Sequence, residues 1–241
     1  MASLSHTTHH VKPRISANEL AKFMVSGDTG RMGIIRRARE KKSVVAVRYS
    51  DVRTATAAAM CDPIKGKHIL ATAYQSFEQK ASDASLSPWA REDAAKSLDV
   101  IESFGKMKNQ LVGFDFVQAP PKQSPLALGG VAVSVNCDVL IHRPVKGVPS
   151  IGAALFRLTK PDEDESDKAK AKRDQMGRHV ATLVLMQVGA SLAGNLQPAF
   201  ELCWSIDVQT GEIYKAPKNT KALATSMENA CQFIAAMWDK A

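Results

Sequence analysis

The hydrophobic pattern of the chain changes its period near residue 112, and this change constrains the fold more than any single motif. Upstream, the segment from Pro88 to Leu111 repeats its apolar residues at helical spacing, which is typical of a buried helical stripe. Downstream, residues 131–141 alternate in side-chain character, which is typical of a strand with one buried face. The sequence therefore predicts helices in its first part and a sheet in its second.

The segments after residue 112 follow a definite order. Short strands are predicted at GFDFVQ and GGVAVSVNCDVLIH, and SIGAALFRL is apolar on both faces, which predicts a central strand. A helix from about residue 168 to 190 follows, then a hairpin of FELCWSIDV and EIYKAP, then a final helix. The order from residue 88 is α-β-β-β-α-β-β-α, so we expect an α/β (α+β) fold with a mixed central sheet flanked by helices.

Local signals divide the chain into three predicted parts. Residues 1–14 carry scattered His and Thr and are expected to form a disordered tail. Residues 15–82 are predicted to form a helical module, which begins where Ser16 caps a helix and Glu19 completes a capping box. Residues 83–241 are predicted to form the α/β core.

The charge balance of the chain favours an acidic partner. Lys+Arg 32 against Asp+Glu 24 gives a net charge of +8, and the resulting field attracts nucleic acid or an acidic protein. The cysteines form no CxxC motif, which indicates reduced thiols rather than a zinc or redox site. The N-terminus lacks the apolar region of a secretory signal and no apolar run reaches membrane length, so we expect a cytoplasmic protein with no membrane partner.

One basic segment, RMGIIRRAREKK, is the strongest candidate for a phosphate contact. Met32, Ile35 and Ala38 share a helical face that can dock on the protein, which leaves the cationic side in solvent. Such a side can neutralise backbone phosphates without reading sequence. An ordinary solvated face explains the same charges equally well. The candidate nucleic-acid-binding residues are Arg31, Arg36, Arg37, Arg39, Lys41 and Lys42.

The order of elements resembles the core of the restriction-endonuclease-like, or PD-(D/E)xK, superfamily, whose pattern is αβββαβ. A second resemblance, to a bacterial protein family without an assigned activity, is carried by SIGAALFRLTK, LCWSIDVQTGEIYKAP and ENACQFIAAMW, with SANELAKFM and VRYSDVRTA adding to it. The first resemblance implies an Asp on the second core strand, and a Glu or Asp followed two residues later by Lys on the third. Such carboxylates hold Mg²⁺ through hard oxygen ligands, and the Lys supports the attack on phosphorus.

Asp138 matches the first of these positions, because it is the polar exception in an apolar strand just before a turn. The third strand departs from the pattern and reads Ala153-Ala154-Leu155 where Glu-x-Lys is expected. A migrated carboxylate would have to come from elsewhere, with Glu201 and Asp207 as candidates. Asp138 has structural alternatives too: it can cap a turn or pair with Arg143 or Arg157.

These observations give three functional hypotheses. The first is a bacterial protein without enzymatic activity, whose degenerate nuclease-like core associates with nucleic acid or a nucleoprotein and needs no metal. The second is an active nuclease that uses Mg²⁺, Asp138 and a migrated carboxylate. The third is a protein-binding accessory subunit or inhibitor with an acidic partner.

Overall fold

The computed structural model describes residues 8–41, 48–162 and 164–241. Within these ranges no helix is long and apolar enough to cross a membrane. The α-helices of the described residues are, in chain order, α1 Ala17–Val25, α2 Asp28–Arg39, α3 Ser50–Cys61, α4 Gly66–Ser82, α5 Pro88–Met107, α6 Asp167–Gln187 and α7 Lys221–Met237.

Strands in the described ranges form one large sheet, one small sheet and a two-stranded ribbon. Their bounds are β1 Thr8–His9, β2 Arg14–Ser16, β3 Glu40–Lys41, β4 Asp115–Gln118, β5 Leu126–Leu128, β6 Val131–Ser134, β7 Val139–His142, β8 Ser150–Arg157, β9 Gln197–Asp207 and β10 Glu212–Lys215. Short 3-10 turns extend α5 and α7, and a π-helical turn extends α6.

The large sheet has the strand order β10-β9-β8-β7-β4. Strands β4, β7 and β8 are antiparallel neighbours, whereas β9 runs parallel to β8 and β10 returns antiparallel to β9. Helix α6 makes the crossover that a parallel pair requires. This arrangement confirms the predicted mixed α/β architecture, with β8 as a fully buried interior strand.

Two hydrophobic cores lie on opposite faces of the large sheet. Alternation along β8 directs Ala153 and Leu155 into the first core, whereas Ala154 and Phe156 enter the second. The first core contains α1, α2, α6, α7 and the small sheet, and the second contains α3, α4 and α5. The predicted helical module of residues 15–82 is therefore shared between the two faces.

The predicted strand GGVAVSVNCDVLIH is two strands, and the chain changes sheets between them. Strand β6 pairs with β2 and β5, whereas β7 pairs with β4 and β8. At the junction, the Cys137 amide donates to the Gln123 side-chain oxygen over 3.0 Å, and Gln123 Nε2 donates to the Cys137 carbonyl over 2.8 Å. The side-chain amide of Gln123 thus takes the place of a neighbouring strand at Cys137. The alternating pattern of buried residues continues across this junction, which is why the sequence predicts a single strand.

The first fourteen residues were expected to form a tail without fixed structure. Residues 1–7 lie outside the described ranges, whereas Thr8–His9 pairs with Glu40–Lys41 as a short ribbon. The His10 carbonyl accepts a hydrogen bond of 3.0 Å from the buried Trp238 side chain. These contacts hold the beginning of the described chain against its C-terminal helix.

Candidate functional site

Asp138 lies at the junction that leads into β7, where its carboxylate meets a guanidinium and a backbone amide. Arg53 Nη1 donates to both carboxylate oxygens, over 2.9 and 2.7 Å, and the Phe156 amide donates to one of them over 2.7 Å. The Asp138 side chain is only 7% exposed. Three hydrogen bonds at such short distances are what a buried carboxylate requires.

Arg53 reaches the sheet from α3 and binds strand β8 as well as Asp138. Its Nη2 atom donates to the Phe156 carbonyl over 3.0 Å, while the Phe156 amide donates to Asp138. The arginine and the aspartate therefore satisfy both backbone groups of one residue. Together they form what we call the Arg53–Asp138 clamp, which joins α3, β7 and β8.

Neither arginine suggested by the sequence pairs with Asp138. Arg143 stacks over the Phe114 ring, with 4.8 Å between its Cζ atom and the ring centroid. Arg157 lies 3.5 Å from Asp207. Sequence reasoning missed Arg53 because the two partners are 85 residues apart. The available signal was Arg53 itself, a long cation in the small-residue helix DVRTATAAAM, within the segment VRYSDVRTA that carries the second resemblance.

Burial and pairing act on Asp138 in opposite directions. Burial raises the pKa of the Asp138 carboxyl, while the Arg53 charge and the Phe156 amide lower it. The arginine is the more accessible partner, with 33% of its side chain exposed. The clamp thus turns a buried acid into an anchor for helix α3.

No second acid stands beside Asp138 on the third core strand. Asp138 lines the same cleft as Leu140, whose partner on β8 is Ala153. Ala153 and Leu155 are both buried in the first core, so neither of these two positions offers a carboxylate. Among the residues that the structure describes, no group of three or more His, Cys, Asp or Glu side chains is placed to hold a metal ion.

Of the two migrated-carboxylate candidates, Asp207 shares the sheet face of Asp138 but is paired with arginines. The register Arg157↔Asp207 and the alternation along β8 put Asp207 on the face of Ala153. Asp207 is 1% exposed and lies 3.5 Å from Arg157 and 3.8 Å from Arg173. Burial raises the pKa of Asp207, and the two arginines oppose that shift. Glu201 is half-buried earlier on β9.

A cleft of about 1020 Å³ opens beside the clamp. Its lining combines Arg53 and Asp138 with neutral polar side chains from α1, β4 and the β6–β7 junction: Asn18, Gln118, Ser134 and Asn136. Arg53 and Asp138 are the charged residues among the described lining residues, and the rest of the lining combines amides and hydroxyls with apolar side chains such as Leu140 and Leu155. Such a lining can orient a polar ligand by hydrogen bonds and attract an anionic one.

The basic helix α2 docks on the first core through Ile34 and Ile35, with Met32 and Ala38 half-buried beside them. The helix face predicted from Met32, Ile35 and Ala38 is therefore rotated to include Ile34. On its cationic side, some arginines are exposed and others bind neighbouring parts of the protein.

Only part of the predicted cationic side is free for a partner. The Arg36 side chain makes no hydrogen bond or ion pair with a described residue, and the exposed Arg37 lies 3.6 Å from Glu19. Arg31 donates to the Phe23 carbonyl over 3.3 Å. Arg39 donates to the backbone oxygens of Asp239 and Ala241, which fixes it to the C-terminus. Lys41 belongs to β3, and Lys42 lies outside the described ranges.

No protein-family model matches the chain, and no curated protein matches it.

Proposed function

We propose that this chain is a cytoplasmic bacterial protein that associates with nucleic acid or a nucleoprotein and does not cut it. In this proposal the large sheet is a degenerate PD-(D/E)xK core. The strand order supports the assignment: α5 precedes the antiparallel strands β4, β7 and β8, and α6 leads to the parallel strand β9. Apart from β5 and β6, which come between β4 and β7 and belong to the small sheet, these elements follow the αβββαβ order that the resemblance implies.

The observation that carries the proposal is the Arg53–Asp138 clamp. The carboxylate that corresponds to the metal ligand of the superfamily accepts three short hydrogen bonds from protein donors. Mg²⁺ loses its water reluctantly and needs several hard oxygen ligands. A carboxylate that is already bound to arginine is therefore a poor ligand for it. Arg53 occupies the place where a cation would have to bind.

The nucleic-acid part of the proposal rests on charge. The chain carries a net charge of +8, and α2 exposes Arg36 and Arg37 next to each other. Arginines on a helix surface contact phosphates without reading bases, so we expect little sequence preference. Each phosphate contact releases counterions, and the affinity should fall steeply as salt rises.

Fluorescence anisotropy with labelled duplex DNA, single-stranded DNA and RNA tests this proposal over a range of salt concentrations. The test variant is Arg36→Glu with Arg37→Glu, because reversing Arg39 would also break its contacts with the C-terminus. The matched control is Lys218→Glu with Lys221→Glu, which changes the net charge equally at two exposed lysines.

We expect the α2 variant to weaken binding and flatten its salt dependence, while the control retains both. Equal affinity of the two variants would remove α2 as the contact surface. Absence of nucleic-acid binding by the unmodified chain would remove the proposal and leave the hypothesis of an acidic protein partner.

A further inference from the structure

A second pocket, remote in the fold from helix α2, lies between the α3–α4 turn, the end of α5 and the start of β4. We call it the β4 groove, and its volume is about 470 Å³. The floor is apolar and buried, and is formed by Met60, Leu70, Phe104, Leu111 and Phe116. A cavity of this size accommodates one or two large side chains of a partner.

One exposed aliphatic side chain lines the groove, and a second lies in the turn next to a lining residue. Val112 lines it and is 75% exposed, and Ile64, which follows the lining residue Pro63, is 90% exposed. Isolated exposed aliphatics are common, but one in the lining of an apolar pocket and one in the adjoining turn enlarge the surface that a partner can remove from water. Covering them would add to the free energy of binding.

The turn that presents Ile64 is held rigidly. Asp62 Oδ1 accepts from the Ile64 and Lys65 amides over 3.1 and 2.8 Å. Gly66 packs so tightly against Ala59 that a Cβ atom there would collide with the Ala59 carbonyl. The groove is therefore formed before any partner arrives, which lowers the entropic cost of binding.

The rim of the groove is positively charged. Lys67 and Lys108 line it, are exposed, and make no ion pair or hydrogen bond with a described residue. Arg143 stacks on Phe114, another lining residue. Asp115 is the single acid among the lining residues that the structure describes. Unpaired cations around an apolar pocket are complementary to carboxylates that flank an apolar side chain.

From this combination we infer that the β4 groove binds an acidic segment of a partner protein, with a large apolar side chain inserted between Lys67 and Lys108. A nucleic-acid strand fits the groove less well. Strands bind by stacking bases on exposed aromatic faces, but Phe104 and Phe116 are buried and Arg143 covers Phe114.

A display library of short random peptides, selected against the full chain, identifies the probe. We expect the selected peptides to carry Asp or Glu on both sides of a large apolar residue. A labelled peptide with this pattern is then titrated by anisotropy against the parent chain and against two variants, Lys67→Glu with Lys108→Glu, and Ile64→Ser. The matched control is again Lys218→Glu with Lys221→Glu.

Lys67→Glu with Lys108→Glu should lower the affinity for the peptide by at least about tenfold, and Ile64→Ser should lower it less. The control should bind the peptide like the parent chain. Far-ultraviolet circular dichroism checks that each variant is folded. We expect every variant to fold, because the substituted side chains are exposed. Peptides without acids, or peptides whose affinity is unchanged by lysine reversal, would overturn the inference. A labelled oligouridylate that competes with the peptide for this groove would overturn it in favour of nucleic acid.

Discussion

Arg53 Nη1 lies 2.7 Å from one carboxylate oxygen of Asp138 and 2.9 Å from the other, across 85 residues of chain. This pair fixes helix α3 to strands β7 and β8, because Arg53 also donates to the Phe156 carbonyl. In the nuclease hypothesis Asp138 would bind Mg²⁺, whereas in the structure its carboxylate binds a side-chain cation of the protein itself.

Removing the arginine should destabilise the protein. Arg53→Met leaves Asp138 buried without its charge partner, and we expect the free energy of unfolding to fall by about 3 kcal/mol. This is the low end of the range for a broken buried pair, because Arg53 keeps a third of its side chain in water. Urea denaturation measures the change.

The control for this loss is Arg36→Met, at an exposed arginine that has no partner among the described residues. It should alter stability by less than about 0.5 kcal/mol. Adding Asp138→Leu to Arg53→Met should restore part of the stability, since the buried charge is then gone. Equal losses from Arg53→Met and Arg36→Met would argue against a stabilising clamp.

Asp207 should matter for stability rather than for chemistry. Asp207→Asn leaves Arg157 and Arg173 in a buried site with less negative charge, and we expect a loss of about 3 kcal/mol. Glu212→Gln removes an exposed acid nearby on β10 and should be almost neutral. Thermal unfolding of both variants distinguishes the two sites, and a neutral Asp207→Asn would contradict the pairing.

Two helical glycines should respond oppositely to the same substitution. A Cβ atom at Gly177 in α6 would overlap the Tyr214 ring, so Gly177→Ala should cost about 1–3 kcal/mol through overpacking. Gly105 in α5 has open space around it, and Gly105→Ala should be neutral or stabilise by up to about 1 kcal/mol. If Gly177→Ala did not lower the free energy of unfolding relative to Gly105→Ala, the result would contradict the packing of α6 on β10.

The Cys61 thiol lines the β4 groove and should react slowly at neutral pH. Burial, assisted by Asp115, raises the pKa of Cys61 from its ordinary value of 9.0 to about 11. Because only the thiolate reacts, its alkylation at pH 8 should be about 100-fold slower than that of an ordinary thiol and should accelerate up to pH 11. Mass spectrometry after iodoacetamide treatment follows this rate.

The same shift has a stability consequence of definite sign. The folded protein holds the Cys61 proton more tightly than the unfolded chain, so its contribution is present below pH 9 and is lost as pH rises toward 11. Cys61→Ser should remove this slope from the pH dependence of unfolding. A fast reaction of Cys61 at pH 8, with a rate that levels off above pH 9, would show that its thiol is not buried.

Periodicity predicted the large sheet because long, regularly patterned segments such as β8 and α6 determine their own type. It did not predict the small sheet, since β2 and β5 are three residues long and have no period to detect. Nor did it predict the clamp, because a contact between Arg53 and Asp138 depends on how α3 packs across the sheet. The local sequence pattern identified Asp138 as a polar exception, whereas its partner Arg53 could be identified only from the tertiary structure.

The measurement that tests the central claim most directly is a cleavage assay with labelled DNA and RNA in Mg²⁺ or Mn²⁺, comparing the parent chain with Asp138→Asn. If Arg53 occupies the place of a metal, neither protein should cut either substrate, at any metal concentration that leaves the substrates intact. Metal-dependent cleavage by the parent chain that disappears in Asp138→Asn would contradict this account.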